Sequence, residues 1–130
     1  MTYKSEIGQF GENIACRYLM ENKYKIIERN FRQKWGELDI IAKAPDKTLV
    51  FVEVKTVRGV EKLHTVNENY NQISAENQLT SVKLAKLQRT ASLYANHRLE
   101  LIDDKKGWQI DLIALTICRK DYVIKHYKNI

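Results

Sequence analysis

The sequence has few residues that would cross-link or interrupt a fold: one proline, five glycines and two cysteines among 130 residues. Cys16 and Cys118 lie far apart in apolar, periodic segments, and no CxxC pair occurs. We therefore expect buried, reduced thiols, not a disulfide or a redox pair. The three histidines, His64, His97 and His126, lack metal-ligand spacing, which argues against a zinc site.

Long apolar runs are also missing, and the first residues, 1–6, are polar with no apolar segment behind them. We therefore expect no signal peptide, no membrane partner and a cytoplasmic location. A length of 130 residues with 44% hydrophobic content suits a single domain, 1–130, that can bury a core without disulfides. The net charge of +6 suits a polyanionic partner, although 16 acidic residues make that signal weak alone.

Hydrophobic periodicity predicts two helices, at 5–22 and 81–96, the second capped by Thr80 or Ser81. Apolar runs bounded by polar turns predict five strands, at 24–30, 38–42, 49–56, 108–117 and 122–127. The polar stretch 57–80 has no clear period, and we expect a long mobile loop there. The expected fold class is therefore α/β, with a mixed sheet in which strand 49–56 is central.

Glu53 and Lys55 lie inside that central strand, whose other residues are apolar. Side chains two residues apart on a strand share a face, about 6.6 Å apart along it. Burying charges is costly unless they are paired, hydrated or bound to a metal. Taken alone, the two residues are better explained as an ordinary ion pair near a strand end.

Asp39 changes that balance, because it lies within the apolar run Leu38, Ile40 and Ile41. The polar turn at 45–47 predicts an antiparallel hairpin, which allows the carboxylates of Asp39 and Glu53 to converge. Two close carboxylates repel unless a cation lies between them, and oxygen ligands suit Mg²⁺ or Mn²⁺. Such an ion can polarise a phosphoryl oxygen and generate hydroxide, while an adjacent lysine orients the water or stabilises negative charge.

Two blocks of the sequence together resemble a known signature. Gly36-Glu37-Leu38-Asp39, followed by Phe51-Val52-Glu53-Val54-Lys55, resembles the PD-(D/E)XK motif of the restriction-endonuclease-like superfamily. More narrowly, residues 5–123 resemble the bacterial YraN family of predicted endonuclease-like proteins. The further matching blocks are Gly8-x-x-Gly11-Glu12-x-x-Ala15-x-x-Tyr18-Leu19, Arg29-Asn30-Phe31-Arg32, Lys83-x-x-Lys86-Leu87 with Ala91, and Asp111-Leu112-Ile113-Ala114. Each block is weak, but their order and spacing together are specific.

The resemblance implies a restriction-endonuclease-like core similar to archaeal Holliday-junction resolvases, with Mg²⁺-dependent cleavage or binding of DNA. By position, Asp39, Glu53 and the carbonyl of Val54 would bind the metal, and Lys55 would be the catalytic lysine. Glu12 would be an outer ligand or orient a metal-bound water. Its place at the edge of the apolar face of the first helix agrees with that role. Dimerisation would suit a junction-cutting enzyme, although no feature of the sequence compels it.

The chain departs from the family in places that bear on substrate contacts. The arginine usual two residues after the lysine is replaced by Val57, and Arg58 follows it. A Gly-rich turn usual after that block is replaced by the longer polar loop, and the late Arg-Phe-Asp becomes Gln109-Ile110-Asp111. We expect Arg58 to contact nucleic acid, and Asp111 to be a capping or core-network residue.

Basic side chains near the predicted site could contact phosphates. Lys83, Lys86 and Arg89 follow one another at spacing three on the second helix, which is typical of a phosphate-contacting stripe or of a solvated face. Arg29, Arg32, Lys34 and Trp35 precede the acidic block and could grip a backbone or stack a splayed base. Packing of Trp35 against the hairpin is an equally good explanation.

Three functions are consistent with these residues. The first is a metal-dependent endonuclease acting on structured or branched DNA by phosphodiester hydrolysis. The second is a non-catalytic nucleic-acid-binding module of nuclease ancestry. The third is a structural protein in which Asp39, Glu53 and Lys55 form an ordinary ion-pair network. The complete Asp, Glu and Lys set favours the first over the second, and the apolar flanks of all three residues disfavour the third.

Overall fold

The computed structural model describes residues 3–59 and 79–130 and has an α/β fold with two helices and a five-stranded mixed sheet. The helices are α1 (Tyr3–Glu21) and α2 (Ser81–His97), and a 3₁₀ turn, Leu99–Leu101, follows α2. The strands are β1 (Lys25–Gln33), β2 (Gly36–Lys43), β3 (Leu49–Arg58), β4 (Trp108–Ile117) and β5 (Tyr122–Tyr127). These elements confirm the predicted order of helices and strands.

The strand bounds correct the sequence prediction in two places. β1 continues to Gln33, and β3 continues to Arg58, so Val57 and Arg58 belong to the sheet and do not open a loop. Each extension contains polar or charged residues, Arg32 and Gln33 in β1 and Arg58 in β3, and such residues do not give the apolar pattern from which a strand is predicted. Of the predicted mobile loop 57–80, residues 60–78 lie outside the described residues.

The sheet has the order β1-β2-β3-β4-β5, with β3 at its centre as predicted. β2 and β3 form the expected antiparallel hairpin, whose turn includes an Asp46 side chain that accepts the N–H of Thr48 at 3.0 Å. β3 and β4 are parallel and lie side by side over their whole lengths. Parallel neighbours need a crossover connection, and α2 lies within it.

The helices cover opposite faces of the sheet, and β3 contributes to the core under each of them because its side chains alternate between the two faces. Val50 and Val52 belong to the apolar cluster under α1, and Leu49 and Phe51 belong to the cluster under α2. Glu53 and Lys55 continue the row of Phe51 by alternation. The two charged side chains therefore lie where the face under α2 passes from core to surface.

Two glycines let the helices approach the sheet very closely at that end. A Cβ atom at Gly11 of α1 would overlap the hydroxyl of Thr56 on β3. A Cβ atom at Gly36 of β2 would overlap the hydroxyl of Thr90 on α2. Both positions therefore require glycine for space, and both contacts bring a helix beside the end of the sheet that carries the charged residues.

Neither helix of the described segments is long and apolar enough to cross a membrane. Cys16 is buried under α1 as expected, whereas Cys118, just after β4, is partly exposed, and both thiols are free.

Candidate functional site

The strands β2 and β3 separate at Asp39. Their pairing runs from Lys43–Leu49 to Ile40–Val52, and one further step would pair Asp39 with Glu53. Beyond Ile40, the Oδ2 atom of Asp39 instead accepts the main-chain N–H of Val54 at 2.9 Å. A side-chain carboxylate thus replaces the usual ladder acceptor, which anchors it in the opening between the two strands.

A local irregularity in β1 and β2 lies at this opening. Asn30, opposite Asp39 in the register of the two strands, has a φ of 53°, in the left-handed region that asparagine tolerates better than most residues. In β2, Leu38 and Ile41 both contribute to the core under α2, whereas Ile40 contributes to the core under α1. The strict alternation of β2 is therefore broken at Asp39, which leaves the regular pleat.

Glu53 and Lys55 form an ion pair beside Asp39. The Lys55 Nζ atom lies 3.2 Å from Glu53 Oε2, and the side chains of Lys55 and Glu53 are only 23% and 18% exposed. The pKa of Glu53 is raised to about 7, mainly by burial, and the negative charge of Asp39 and a hydrogen bond with it contribute to the rise. Lys55 lowers the same pKa but does not outweigh these effects. The two carboxylates therefore hold more negative charge than the single lysine compensates.

Glu12 brings a third acid to this region from α1. Burial raises its pKa, the charge of Asp39 raises it further, and Arg29 and Arg32 oppose the rise. Asp39 is thus a charged neighbour of both Glu12 and Glu53. The half-buried position of Glu12 agrees with the prediction that it lies at the edge of the apolar face.

These residues line one open cavity of about 970 Å³ between α1, α2 and the end of the sheet. Its acidic lining residues are Glu12, Glu37, Asp39 and Glu53. Its basic lining residues are Lys34, Lys55, Arg58, Lys83 and Lys86. Glu12, Asp39, Glu53 and Lys55 are partly buried, whereas Glu37 and the other basic residues are exposed. We call the exposed cations of the cavity the basic rim: Lys34, Arg58, Lys83 and Lys86.

The cavity brings together most of the residues singled out in the sequence. Of the three basic residues spaced along α2, Lys83 and Lys86 line the cavity, whereas Arg89 does not. Arg32 is exposed and does not line the cavity, although its charge acts on Glu12.

Sequence reasoning missed Thr56 and Thr90, which line the cavity and meet Gly11 and Gly36. Thr90 is buried and donates its hydroxyl to the Lys86 carbonyl at 3.0 Å. The available signal was its helical spacing, three residues after Leu87 on the buried side of α2.

The oxygen donors at this site fit a partly hydrated hard cation. Within 3–59 and 79–130, no three side chains of His, Cys, Asp or Glu form a group that could hold a metal ion by themselves. Asp39 and Glu53 provide two carboxylates whose mutual repulsion a cation would relieve. The Val54 carbonyl faces the same neighbouring strand as its N–H, as strand geometry requires, and therefore also faces the Asp39 opening. Mg²⁺ typically takes one or two carboxylates and keeps several waters, so this donor set suits Mg²⁺ or Mn²⁺.

A second polar cluster, around Asp111 on β4, is built differently. Asp111 is fully buried; its Oδ1 atom accepts from Gln109 Nε2 at 2.8 Å and from the Asn129 N–H at 2.9 Å. Its Oδ2 atom lies 2.7 Å from His126 Nε2, and the His126 Nδ1 atom lies 3.0 Å from the Tyr18 hydroxyl. Asp111 is therefore the core-network residue predicted from the sequence, with hydrogen bonds to both carboxylate oxygens.

Comparison with known proteins shows the family of the chain. A model described as an uncharacterised protein family, UPF0102, matches residues 11–123. A UPF0102 protein of Clostridium botulinum (strain Loch Maree / Type A3) is 39% identical over 127 residues, covering 95% of this chain and 92% of the relative. Similar proteins from Caldicellulosiruptor bescii (38% identical; 92% and 90% covered) and Geobacter sulfurreducens (40%; 95% and 86%) also match. The chain therefore belongs to the UPF0102 family, which confirms the resemblance to YraN proteins.

Proposed function

We propose that this UPF0102 protein is a divalent-metal-dependent phosphodiesterase with a restriction-endonuclease-like core that cleaves structured or branched DNA. The observation that carries the proposal is the pair of Asp39 and Glu53. The two carboxylates meet where β2 and β3 separate, Lys55 lies 3.2 Å from Glu53, and like charge with burial raises the pKa of Glu53 to about 7. An arrangement of this kind destabilises the unliganded protein, and a cation between the carboxylates would remove that cost.

The proposed roles follow from the position of each group. Asp39, Glu53 and the Val54 carbonyl would hold Mg²⁺ or Mn²⁺. Such an ion, when bound, supplies Lewis-acid polarisation of a phosphoryl oxygen and a more acidic water. The ammonium of Lys55 lies beside Glu53 and stabilises negative charge that develops on the phosphoryl group.

Glu12 has a role distinct from that of the metal-holding groups. Because its pKa is raised by burial and by Asp39, its carboxylate is a better proton acceptor than an exposed glutamate. It lines the same cavity from α1, where it can orient a water molecule and take up a proton from it.

The basic rim supports nucleic acid as the substrate. The rim consists of four exposed cations that line the same cavity as the acids: Lys34, Arg58, Lys83 and Lys86. Such cations can contact phosphates and so position a sugar-phosphate backbone, and their binding releases counterions from the nucleic acid. The net charge of +6 adds long-range attraction for a polyanion.

Cleavage of labelled four-way-junction, flap and linear DNA in Mg²⁺, Mn²⁺ or EDTA tests this function. Wild type is compared with Asp39→Asn, Glu53→Gln and Lys55→Met, and with Arg89→Ala as a matched control outside the cavity. We expect metal-dependent cutting by wild type and Arg89→Ala, and a loss of about a hundredfold or more in the other three. Cutting that persists in EDTA, or that survives Asp39→Asn, would contradict the proposal.

A nucleic-acid-binding module without catalysis is the second candidate. The observation that favours it is that, in the described parts of the chain, no three acidic, His or Cys side chains form a group that could hold a metal ion. Salt-sensitive binding by wild type and all variants, with no cutting in either metal, would select this candidate.

A further inference from the structure

The turn between β1 and β2 places an aromatic ring beside the cavity. Gln33 pairs with Gly36, so Lys34 and Trp35 form a two-residue turn. Gln33, Lys34 and Gly36 line the cavity, and Trp35, which stands between Lys34 and Gly36 in the chain, is 38% exposed. Trp35 therefore has accessible surface at a turn whose neighbouring residues line the cavity.

The Trp35 ring is fixed in place by a row of aromatic contacts that reaches the core. Its centroid lies 5.7 Å from that of Phe31, and Phe31 meets Tyr94 of α2 edge-on at 5.0 Å. Tyr94 in turn meets the buried Phe51 edge-on at 5.7 Å. Each of these distances is within the range of favourable aromatic pairs, so the ring is a preorganised platform with part of its surface open.

We propose that Trp35 stacks on an unpaired base of the bound nucleic acid, which makes a strand with an unpaired nucleotide beside the cleaved phosphate the preferred substrate class. The inference rests on the proposed function in one respect, that nucleic acid occupies the cavity. Because Trp35 lies beside the lining and not within it, the stacked base belongs to a nucleotide next to the one whose phosphate enters the cavity.

The chemistry around Trp35 fits a nucleotide. Lys34 is its neighbour in the turn, and Lys83 and Lys86 line the same cavity from α2. A phosphate backbone needs the cations, and a base needs a flat apolar face. Aromatic platforms combined with basic grooves are the usual means of binding single strands. A base inside a duplex presents only its edge, so an intact stack cannot use Trp35 in this way.

Tryptophan fluorescence gives a direct test that does not require cleavage. The chain has two tryptophans, Trp35 and Trp108, so Trp108→Phe leaves Trp35 as the single reporter. The probes, used in EDTA, are a short oligothymidylate, an abasic strand of equal length and a relaxed, closed-circular duplex, which has no exposed terminal base pair. We expect the oligothymidylate to quench Trp35, and the abasic strand and the duplex to leave its emission nearly unchanged.

Affinity measurements with matched variants complete the test. We expect Trp35→Ala to bind the oligothymidylate about tenfold more weakly than wild type, with Trp35→Phe between them. Tyr122→Ala is the matched control, because Tyr122 is an equally exposed aromatic (37%) on β5, at the opposite edge of the sheet. We expect this control to bind as wild type does, and thermal melts verify that each variant is folded.

The results separate this inference from the proposed function. Equal affinity of wild type and Trp35→Ala, or equal quenching by the abasic strand, would overturn the stacking role even if wild-type protein cuts DNA. Base-dependent quenching in a protein that never cuts DNA would support the stacking role and contradict the proposed phosphodiesterase activity.

Discussion

Two acidic clusters in the same sheet differ in how their charges are satisfied. Around Asp111, both carboxylate oxygens accept hydrogen bonds, and the residue is fully buried. Around Asp39 and Glu53, the two carboxylates border an open cavity, Lys55 pairs with Glu53, and the pKa of Glu53 is raised to about 7. Each oxygen of Asp111 thus has a hydrogen-bond partner, whereas the ion pair with Lys55 does not offset the burial of Glu53 and the like charge of Asp39.

The difference shows why burial of an acid does not by itself indicate function. Asp111 is more deeply buried than Glu53, yet its partners leave it no need of a cation. Glu53 is less buried, but a like charge faces it. Burial and a like charge acting together at the border of a cavity distinguish the Asp39–Glu53 cluster from the hydrogen-bonded network of Asp111.

The largest expected effect is on the free energy of unfolding when Asp111 is removed. Asp111→Ala leaves Gln109, His126 and the Asn129 N–H without their acceptor, and we expect a loss of about 3 kcal/mol or more. Glu53→Gln, the matched change in the other cluster, should alter stability by less than about 1 kcal/mol or increase it. Urea denaturation measures both, and equal losses would remove the distinction between the clusters.

The second effect is a dependence of stability on pH to which Glu53 contributes most and Glu12, whose pKa is also raised, contributes with the same sign. The pKa of Glu53 is about 7 in the folded protein and 4.5 for a glutamate in the unfolded chain, so the folded state binds the proton more tightly. The stabilisation is therefore complete below pH 4.5, declines as pH rises, and is lost above pH 7, by roughly 3 kcal/mol in EDTA. Urea denaturation across this range measures the decline.

Glu53→Gln should remove most of that decline and leave the contribution of Glu12, and Glu100→Gln should leave the decline in place. Glu100 is an exposed acid whose pKa is lowered by its hydrogen bond with Arg98, so its small contribution has the opposite sign. A decline that is the same in wild type and Glu53→Gln would mean that another group is responsible.

A pair of glycines in α1 tests how the open cluster is built. Gly11→Ala would place a methyl group against Thr56 and move α1 away from β3, and we expect a loss of about 1–3 kcal/mol. Gly8→Ala meets no atom within 4 Å and should stabilise the helix by about 0.5–1 kcal/mol. Thermal melts measure both signs, and a Gly11→Ala variant as stable as wild type would contradict the close approach.

The smallest effect concerns the basic rim. Lys83→Ala and Lys86→Ala should each weaken DNA binding and reduce the slope of log affinity against log salt by about 1. Arg89→Ala on the same helix should leave that slope unchanged, because Arg89 does not line the cavity. Equal slopes in all three variants would mean that α2 contacts DNA through a different face.

Much of the fold could be predicted because its signals are local. The apolar run from Trp108 to Ile117 gave β4 its observed bounds, and the turn around Asp46 indicated the hairpin that pairs β2 with β3. The meeting of Asp39 with Glu53 followed from that hairpin. The restriction-endonuclease-like core stays a prediction.

What could not be predicted depends on contacts between distant segments. The opening at Asp39 arises from a left-handed Asn30 on a neighbouring strand and from a change of face within β2, and no local pattern marks either. The contacts of Thr56 and Thr90 with glycines depend on how two helices approach the sheet. The pKa of Glu53 depends on burial and on a cross-strand charge, which spacing alone cannot supply.

Mn²⁺ binding, followed by electron paramagnetic resonance of the free ion, tests the central claim most directly. The claim predicts binding by wild type, a loss of more than about tenfold in Asp39→Asn and Glu53→Gln, and retained binding in folded Asp111→Asn. Binding that is unchanged in Asp39→Asn and Glu53→Gln, or no binding by wild type, would contradict it.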